Sequence, residues 1–596
     1  VVVRIAASIV DRRWVAMIAA GISVHGLPRA RPAGGVLAVA TLCTVMFVLA
    51  LPTAGEAQAE RPRDVGLPAQ VREVLRNRIE AAGSPAKLTV GRRPLYASMV
   101  LPRFYQQRSY LPVWITESGI WQGSRDLVRA LRGAGAEGLR SSDYHLARIG
   151  AMLEKLGDGS GNAGRAGVRE LVDLELLMTD AFLVYGSHLV AGCVNPETID
   201  PEWFANRRDV DMADVLEGAI SDNAIEEALE SLRPAQAGYA RLREALATYR
   251  DIAEKGGWPA VPDGGKLIKG DSGSRIVLLR RRLEVTGDLS AAAALPGEEF
   301  DESLEAAVRH FQRRHGLDVD GVVGPMTLSA LNVSSDDRVR QIEINMERWR
   351  WLPQDLGPRH LIVNIANFEL DVVEAQQEVL TMRAIVGRDY RRTPVFSGKM
   401  TYLVLSPYWH VPPSIAVKDI LPLVRKDSGY LAEKGFKVFE GWGAETKEID
   451  PSGVDWSTVT SKNLRYRFRQ DPGPGNALGR VKFMFPNKFD VYLHDTPSRD
   501  LFAKSARAFS SGCIRIEKPI ELAEYVLHSD SKWNRDAILA AIDRRVEQTV
   551  QLREPIPVHV LYWTAWADVS GTVNFREDVY SRDKPLAEAL GEKPPG

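Results

Sequence analysis

The chain has 596 residues, 76 Lys and Arg against 77 Asp and Glu, and a formal net charge of −1. That balance argues against nucleic acid as the main partner, which normally needs a strongly basic face, so no nucleic-acid partner is expected. A hydrophobic content of 45% is enough for large cores, and the length points to roughly three or four domains.

The first segment, 1–59, reads as a signal-peptide region. Arg29 and Arg31 precede sixteen uncharged, mostly apolar residues, Val36 to Leu51, and the small-residue stretch that follows offers Ala57-Gln58-Ala59 for cleavage. Basic, apolar, then Ala-x-Ala is the layout of a secretory signal. An uncleaved inner-membrane anchor is the alternative, for which sixteen residues is short. Either way the rest is exported, and a periplasmic location is expected. An over-extended start, with Met17 as the true one, is also expected. Beyond the leader only Cys193 and Cys513 remain. An oxidising compartment would allow them to pair, but their settings differ, one after an apolar helical run and one in a small-residue loop. A free Cys513 is therefore expected.

Residues 60–260 carry helical signals. Leu174, Leu177, Met178, Ala181 and Phe182 follow the spacing of one buried stripe. With no cluster of catalytic residue types, this region reads as a helical scaffold. A Gly-rich boundary at Val261 to Gly273 opens a compact module, 261–333. Its best helix places Leu304, Val308 and Phe311 on one face, before tight turns at Gly321 and Gly324. A linker helix, 334–357, carries Trp349 and Trp351.

From 358 to 596 the texture changes to short β-branched runs broken by Asn, Gly and Pro, such as HLIVNIANFELDVVE and TYLVLSPYWHVP. These read as strands of a sheet-rich domain. The tail adds a predicted hairpin, PIPVHVLYWTAW turning at DVSG into TVNFREDVY. A long polar insertion, 413–484, is predicted to cap the domain, since long loops in compact domains often act as lids. Its Arg465, Arg467 and Arg469 alternate, so on a strand they would share a face. The fold class is thus multidomain α+β: helical scaffold, small helical module, and β-rich domain with an inserted cap.

The chemistry concentrates in SSGCIRI, Ser510 to Ile516, and in YLHDTP, which supplies His494 nineteen residues before Cys513. A thiol attacks a carbonyl usefully only as thiolate, and a nearby imidazole can take its proton or stabilise the anion. The same imidazole can then protonate a leaving amine. Gly512 would let the backbone turn tightly, and N–H groups around Gly512 and Cys513 could bind an oxyanion. On a strand Arg515 shares the face of Cys513 and could hold a substrate carboxylate. Ser510, Ser511, Tyr492 and Trp409 complete the candidate substrate-binding set. The other readings of these residues are bland: His494 with Asp495 capping a turn, and Arg515 as a surface charge. HExxH and CxxC are absent from the sequence, so no metal and no cofactor is expected.

Two resemblances sharpen this reading. GDSGSRIVLLRRRL with AAVRHFQRRHGLDVDGVVGPMTLSAL resembles the peptidoglycan-binding domain 1 family. HDTPSRDLFAKSARAFSSGCIRI resembles the active-site signature of L,D-transpeptidases, whose catalytic domain is YkuD-like. The match places His494, Ser510, Ser511, Gly512, Cys513, Ile514 and Arg515 on that signature. Ser511 stands where many members have a second His and where the YcbB-like subgroup has Ser. FYQQRSYLPVW, VGRDYRRTPVFSGKM, SPYWHVPPSIAVKDILP, RQDPGPGNALGRVKFMFPN and YWTAW resemble that subgroup too.

The resemblance implies attack by Cys513 on the bond before the terminal D-Ala of a tetrapeptide stem, leaving a thioester. A diaminopimelate amine on a second stem would resolve it, giving a 3-3 cross-link. It further implies covalent inhibition by carbapenems and partner peptidoglycan synthases. Hydrolysis as an L,D-carboxypeptidase or cross-link hydrolase is an alternative, because the signature fixes the nucleophile and not the acceptor. A papain-like peptidase fits less well, since that family places Cys before His. A non-catalytic wall-binding scaffold is the third alternative.

Overall fold

The computed structural model describes residues 66–591 except 84–86, 157–166, 205–206, 291–296 and 442–445. The expected leader and its cleavage site lie outside the described residues.

The scaffold core gathers around the helix Val168–Ala191. The predicted stripe is buried, and so is the opposite side, including Glu175, Thr179 and Asp180. By length and composition this helix could cross a membrane, but its apolar window is buried inside the protein. Glu175 explains the FYQQRSYLPVW stretch. Its carboxylate accepts from Val113 N–H at 2.5 Å, Trp114 N–H at 2.9 Å and the Tyr105 hydroxyl at 2.8 Å. Burial pushes that carboxyl up to about 7 against these hydrogen bonds. The region is less purely helical than expected: two-stranded hairpins pair Thr89–Val90 with Arg93–Pro94, and Ile115–Thr116 with Gly119–Ile120. Nor does the scaffold core run to residue 260. Helix Ala237–Glu254 packs with the linker helix Ser335–Arg350 and the C-terminal hairpin instead.

In the small module, Leu304, Val308 and Phe311 are buried in one core, as their spacing predicts. The glycine turn is held by Gln312, whose Oε1 accepts from Gly321 N–H at 2.9 Å while its amide donates to the Asp320 carboxylate at 2.7 Å. Gly321 has φ +77°, a conformation that suits glycine.

The sheet-rich domain closes on itself. Strand Val481–Met484 pairs with Leu493–His494, which pairs with Ile514–Ile516; then follow Gln377–Gly387, Glu369–Glu374, Arg359–Asn364, Gln548–Leu561 and Val395–Leu405. Val395–Leu405 pairs back onto Val481–Met484, completing an eight-stranded ring without free edges. The scaffold adds Trp203–Phe204 in parallel beside Val395 and Phe396. Alternation along the strands sends Phe483, Leu493 and Ile514 into the core. The predicted tail hairpin forms from Ala565–Ala567 and Val573–Phe575.

The insertion builds its own four-stranded sheet, in the order Trp409–His410, Tyr466–Gln470, Phe436–Glu440, Lys447–Ile449, around a separate apolar core. Its limits differ from the expected 413–484. The cap sheet starts at Trp409, and Val481–Met484 belongs to the main ring, because the apolar alternation of VKF continues into that core.

Candidate active site

Three neighbouring strands set the site. Their register places Lys482 beside His494, and His494 beside Arg515. Aligned residues share a face, and two-residue steps along the same strands bring Tyr492 and Cys513 to it. Ile514 N–H donates to the Tyr492 carbonyl at 3.1 Å, carrying the alignment up to Cys513. This face forms one wall of a cleft of about 1270 Å³. The cap supplies an opposing wall with Trp409, Pro412, Ile415 and Asp419.

The nucleophile loop is braced from below. Gly512 has φ +113°, where a side chain would be strained. The Ser510 hydroxyl donates to the Cys513 carbonyl at 2.5 Å and accepts from Gly512 N–H at 3.1 Å. Thr393 Oγ1 donates to the Gly512 carbonyl at 2.8 Å and accepts from Gly387 N–H at 2.9 Å. Gly387 has no room for more than hydrogen, since a Cβ there would lie 2.1 Å from the Arg391 carbonyl. Two expectations change. Ser510 lines the cleft but is only 2% exposed, and its hydroxyl is engaged in the loop, so that hydroxyl supports the turn. The Gly512 N–H is already used, whereas Cys513 N–H has no hydrogen-bond partner among the described residues.

His494 is buried and its Nδ1 lies 2.6 Å from the Asp495 carbonyl. A carbonyl only accepts, so Nδ1 carries hydrogen; the Leu478 carbonyl also acts on the ring. Arg480 and Arg499 bind the Asp495 carboxylate at 3.2 Å each, fixing the carbonyl's position. Burial, reinforced by the charge of Arg515, pushes the imidazole down to about 3. The Cys513 thiol is raised by burial and drawn back by hydrogen bonds from Tyr492 and by the charges of Lys482 and Arg515. Its Sγ approaches the Asp490 carbonyl at 3.7 Å. Both shifts favour a neutral thiol and a neutral imidazole over an ion pair. Among the described residues no hydrogen bond joins Cys513 to His494.

The remaining candidates fall as follows. Arg515 is half-buried, with Nε lacking any hydrogen-bond partner, and lines the cleft. Ser511 is exposed and its hydroxyl accepts from Arg391 at 2.7 Å. The same Arg391 pairs with Asp419 of the cap, including a 3.0 Å contact, and so ties cap to nucleophile loop. Tyr492 stands 5.6 Å from the His494 ring, and Trp409 packs 5.8 Å from Phe436 while lining the cleft. Arg465, Arg467 and Arg469 do not face this cleft as a row. Arg465 turns to Glu440 at 3.0 Å, whereas Arg467 and Arg469 line a separate cavity of about 390 Å³ within the cap. Both cysteines are free thiols; Cys193 lies 3.3 Å from His188 Nδ1, distant in sequence and setting from the cleft. Sequence reasoning missed Lys482, Thr393 and Arg391. All three lie in stretches with recognisable texture, RVKFMFPN and VGRDYRRTPVF, but only register and hydrogen bonds bring them to the loop.

Residues 358–548 match the family described as the L,D-transpeptidase catalytic domain, YkuD. Residues 272–331 match a family described as "Putative peptidoglycan binding domain", and residues 100–246 one described as a scaffold domain. The chain therefore carries a YkuD-type L,D-transpeptidase catalytic domain together with a peptidoglycan-binding module and a helical scaffold. It is 32% identical over 247 residues to a Haemophilus influenzae protein named "Putative L,D-transpeptidase", covering 41% of this chain and 49% of the relative. It is 37% identical over 84 residues to the Mycobacterium tuberculosis N-acetylmuramoyl-L-alanine amidase CwlM, covering 13% of this chain and 21% of that one. The chain thus spans about half, or less, of the length of these curated relatives. A solved L,D-transpeptidase structure from Xylanimonas cellulosilytica is 16% identical, covering 50% of this chain and 98% of that chain with a TM-score of 0.16, too low to carry a structural argument.

Proposed function

We propose that the protein is a periplasmic L,D-transpeptidase of the YcbB-like kind, acting on peptidoglycan stem peptides. The observation that carries this reading is the shared face of Cys513 and His494 in a cleft lined by cations, inside a matched L,D-transpeptidase domain. Cys513 Sγ attacks the carbonyl that precedes the terminal D-Ala of a tetrapeptide. The thiol proton passes to His494 Nε2 and then to the departing amine, so D-Ala leaves and a thioester remains. Cys513 N–H stabilises the oxyanion, a contribution typically worth about 3–4 kcal/mol per donor. Arg515 holds the terminal carboxylate. A diaminopimelate amine from a second stem then attacks the thioester, His494 takes its proton, and the thiol is regenerated with a 3-3 cross-link formed. Carbapenems would enter as strained-carbonyl mimics of the donor, and partner peptidoglycan synthases would supply the wall being cross-linked.

The test is mass analysis of muropeptides after incubation with tetrapeptide-containing wall fragments. Wild type should release D-Ala and yield 3-3 dimers, and Cys513→Ala should yield neither. Release of D-Ala with no dimers would instead identify an L,D-carboxypeptidase.

A further inference from the structure

The cleft holds a second cation that the reaction scheme above leaves without a task. Lys482 sits in the strand Val481–Met484, directly across from His494 on the side opposite Arg515. Two strand spacings separate these cations, roughly 9–10 Å between backbones. Lys482 is half-buried, and its Nζ lies 3.9 Å from the Tyr492 ring centroid. That contact orients the ammonium without neutralising it. Among the described residues no carboxylate forms an ion pair with Lys482 or Arg515. The acidic groups that act on Lys482 electrostatically are the Cys513 thiol first, then Glu547 and Asp490; neither carboxylate forms an ion pair with it, and Glu547 accepts from Tyr408 N–H at 2.8 Å. The cleft lining as a whole carries six Lys and Arg side chains against three acids, and two of those acids, Asp419 and Glu202, are paired with Arg391 and Arg582. Burying an ammonium without a counter-ion is unfavourable, so such a residue marks a place where an anionic group is recognised.

We propose that Lys482 is a substrate-binding, specificity-determining residue that takes a second carboxylate of the donor peptide, on the acyl side of the scissile bond, while Arg515 takes the terminal one. The inference rests on the reaction proposed above. A donor carrying carboxylates on both sides of its reacting carbonyl matches the two cations flanking the Cys513–His494 pair. In the tetrapeptide donor the acyl-side carboxylate is the side-chain carboxylate of diaminopimelate. An ammonium suits this task as a point charge, with Arg a workable substitute where one charge is enough.

The experiment compares the full-length protein with Lys482→Met and Lys482→Arg on two tetrapeptide donors, one with that side-chain carboxylate free and one with it converted to the amide. D-Ala release gives kcat and KM for each. Wild type should favour the free acid by tenfold or more in kcat/KM. Lys482→Met should lose that preference, its kcat/KM for the acid falling at least tenfold further than for the amide donor and chiefly through KM, and Lys482→Arg should restore most of the preference. An equal loss on both donors would assign Lys482 a role in packing or in thiolate stabilisation and overturn the inference, as would no change on either. Wild type releasing D-Ala equally from both donors would also overturn it while leaving the reaction intact. Absence of release from either donor would instead sink the reaction itself.

Discussion

His494 is buried between Lys482 and Arg515 in one cross-strand row, and burial first, then the charge of Arg515 and more weakly that of Lys482, lowers its titration. A neutral imidazole whose ionisation has been pushed down to about 3 stays a base across the whole physiological range. The sign follows directly: protonation abolishes the base, so activity is lost only as pH falls toward that value. The acid limb of kcat/KM for D-Ala release should therefore lie below about pH 5, well under the ordinary histidine value of about 6.5. An acid limb near 6.5 would show that neither burial nor the neighbouring cations lower His494 in the free enzyme. Gly512→Ala tests the loop itself. The added Cβ has space, its nearest neighbour outside the adjoining residues being the Arg392 carbonyl at 3.7 Å, so the penalty is backbone strain at φ +113°, of order 1–2 kcal/mol. The variant should fold and melt slightly lower, yet acylate at least tenfold more slowly because the thiol is displaced. Unchanged acylation would make the turn incidental. Cys513, His494 and Gly512 were legible in the sequence because the signature is short and chemically distinctive. Lys482 was not, since its proximity depends on register between strands that no local pattern fixes.

The linker helix Ser335–Arg350 is the element whose importance the sequence least suggested. Its start was legible, with the Ser334 hydroxyl accepting from Asp337 N–H at 3.1 Å as an N-cap. Its interior was not, because charged residues at Glu347, Arg348 and Arg350 look like a solvated face. In the fold all three are buried. Arg350 donates to Glu347 at 2.8 Å and to the Glu137 carbonyl, while Glu347 accepts from Val194 N–H at 2.9 Å. Arg348 pairs with Asp583 at 2.6 Å, which fastens the C-terminal helix Asp583–Gly591 to the same spine. Charges this deep belong to a network joining scaffold, linker and catalytic domain. Arg350→Met leaves Glu347 buried without its cation, a loss of about 3–5 kcal/mol. Thermal melting should show a clear drop, and an unchanged midpoint would mean that the scaffold is held by apolar packing alone.

At the scale of the molecule, the order of scaffold, small module, linker and sheet-rich domain could be read from texture and turn residues. The seams between them could not, because they depend on residues far apart in sequence. Helix Ala237–Glu254 leaves the scaffold core for the linker, and Trp203–Phe204 extends the catalytic sheet. The small module carries a buried ion pair at its seam with the tail. Asp288 bonds Arg314 Nε at 2.6 Å, and Arg576 of the tail donates to the Arg314 carbonyl at 2.9 Å. Burial opposes the Asp288 charge, but the hydrogen bonds from Arg314 and His310 outweigh it and hold the carboxyl at about 2. A folded-state value below the unfolded one contributes stability above about pH 4, lost as pH falls toward 2, worth about 2 kcal/mol in all. Asp288→Asn should remove this component, so its stability relative to wild type should converge between pH 4 and 2. A constant difference across that range would contradict the assignment.

The proposed reaction makes Cys513 the acylated nucleophile. Intact-protein mass spectrometry after incubation with a carbapenem tests it most directly, with peptide mapping of the product. Wild type and Cys193→Ala should each gain one adduct on the Cys513 peptide, and Cys513→Ala should gain none. Cys193 should stay unmodified because burial raises its thiol well above the usual range. An adduct on Cys193, or no adduct on wild type at saturating drug, would contradict the account.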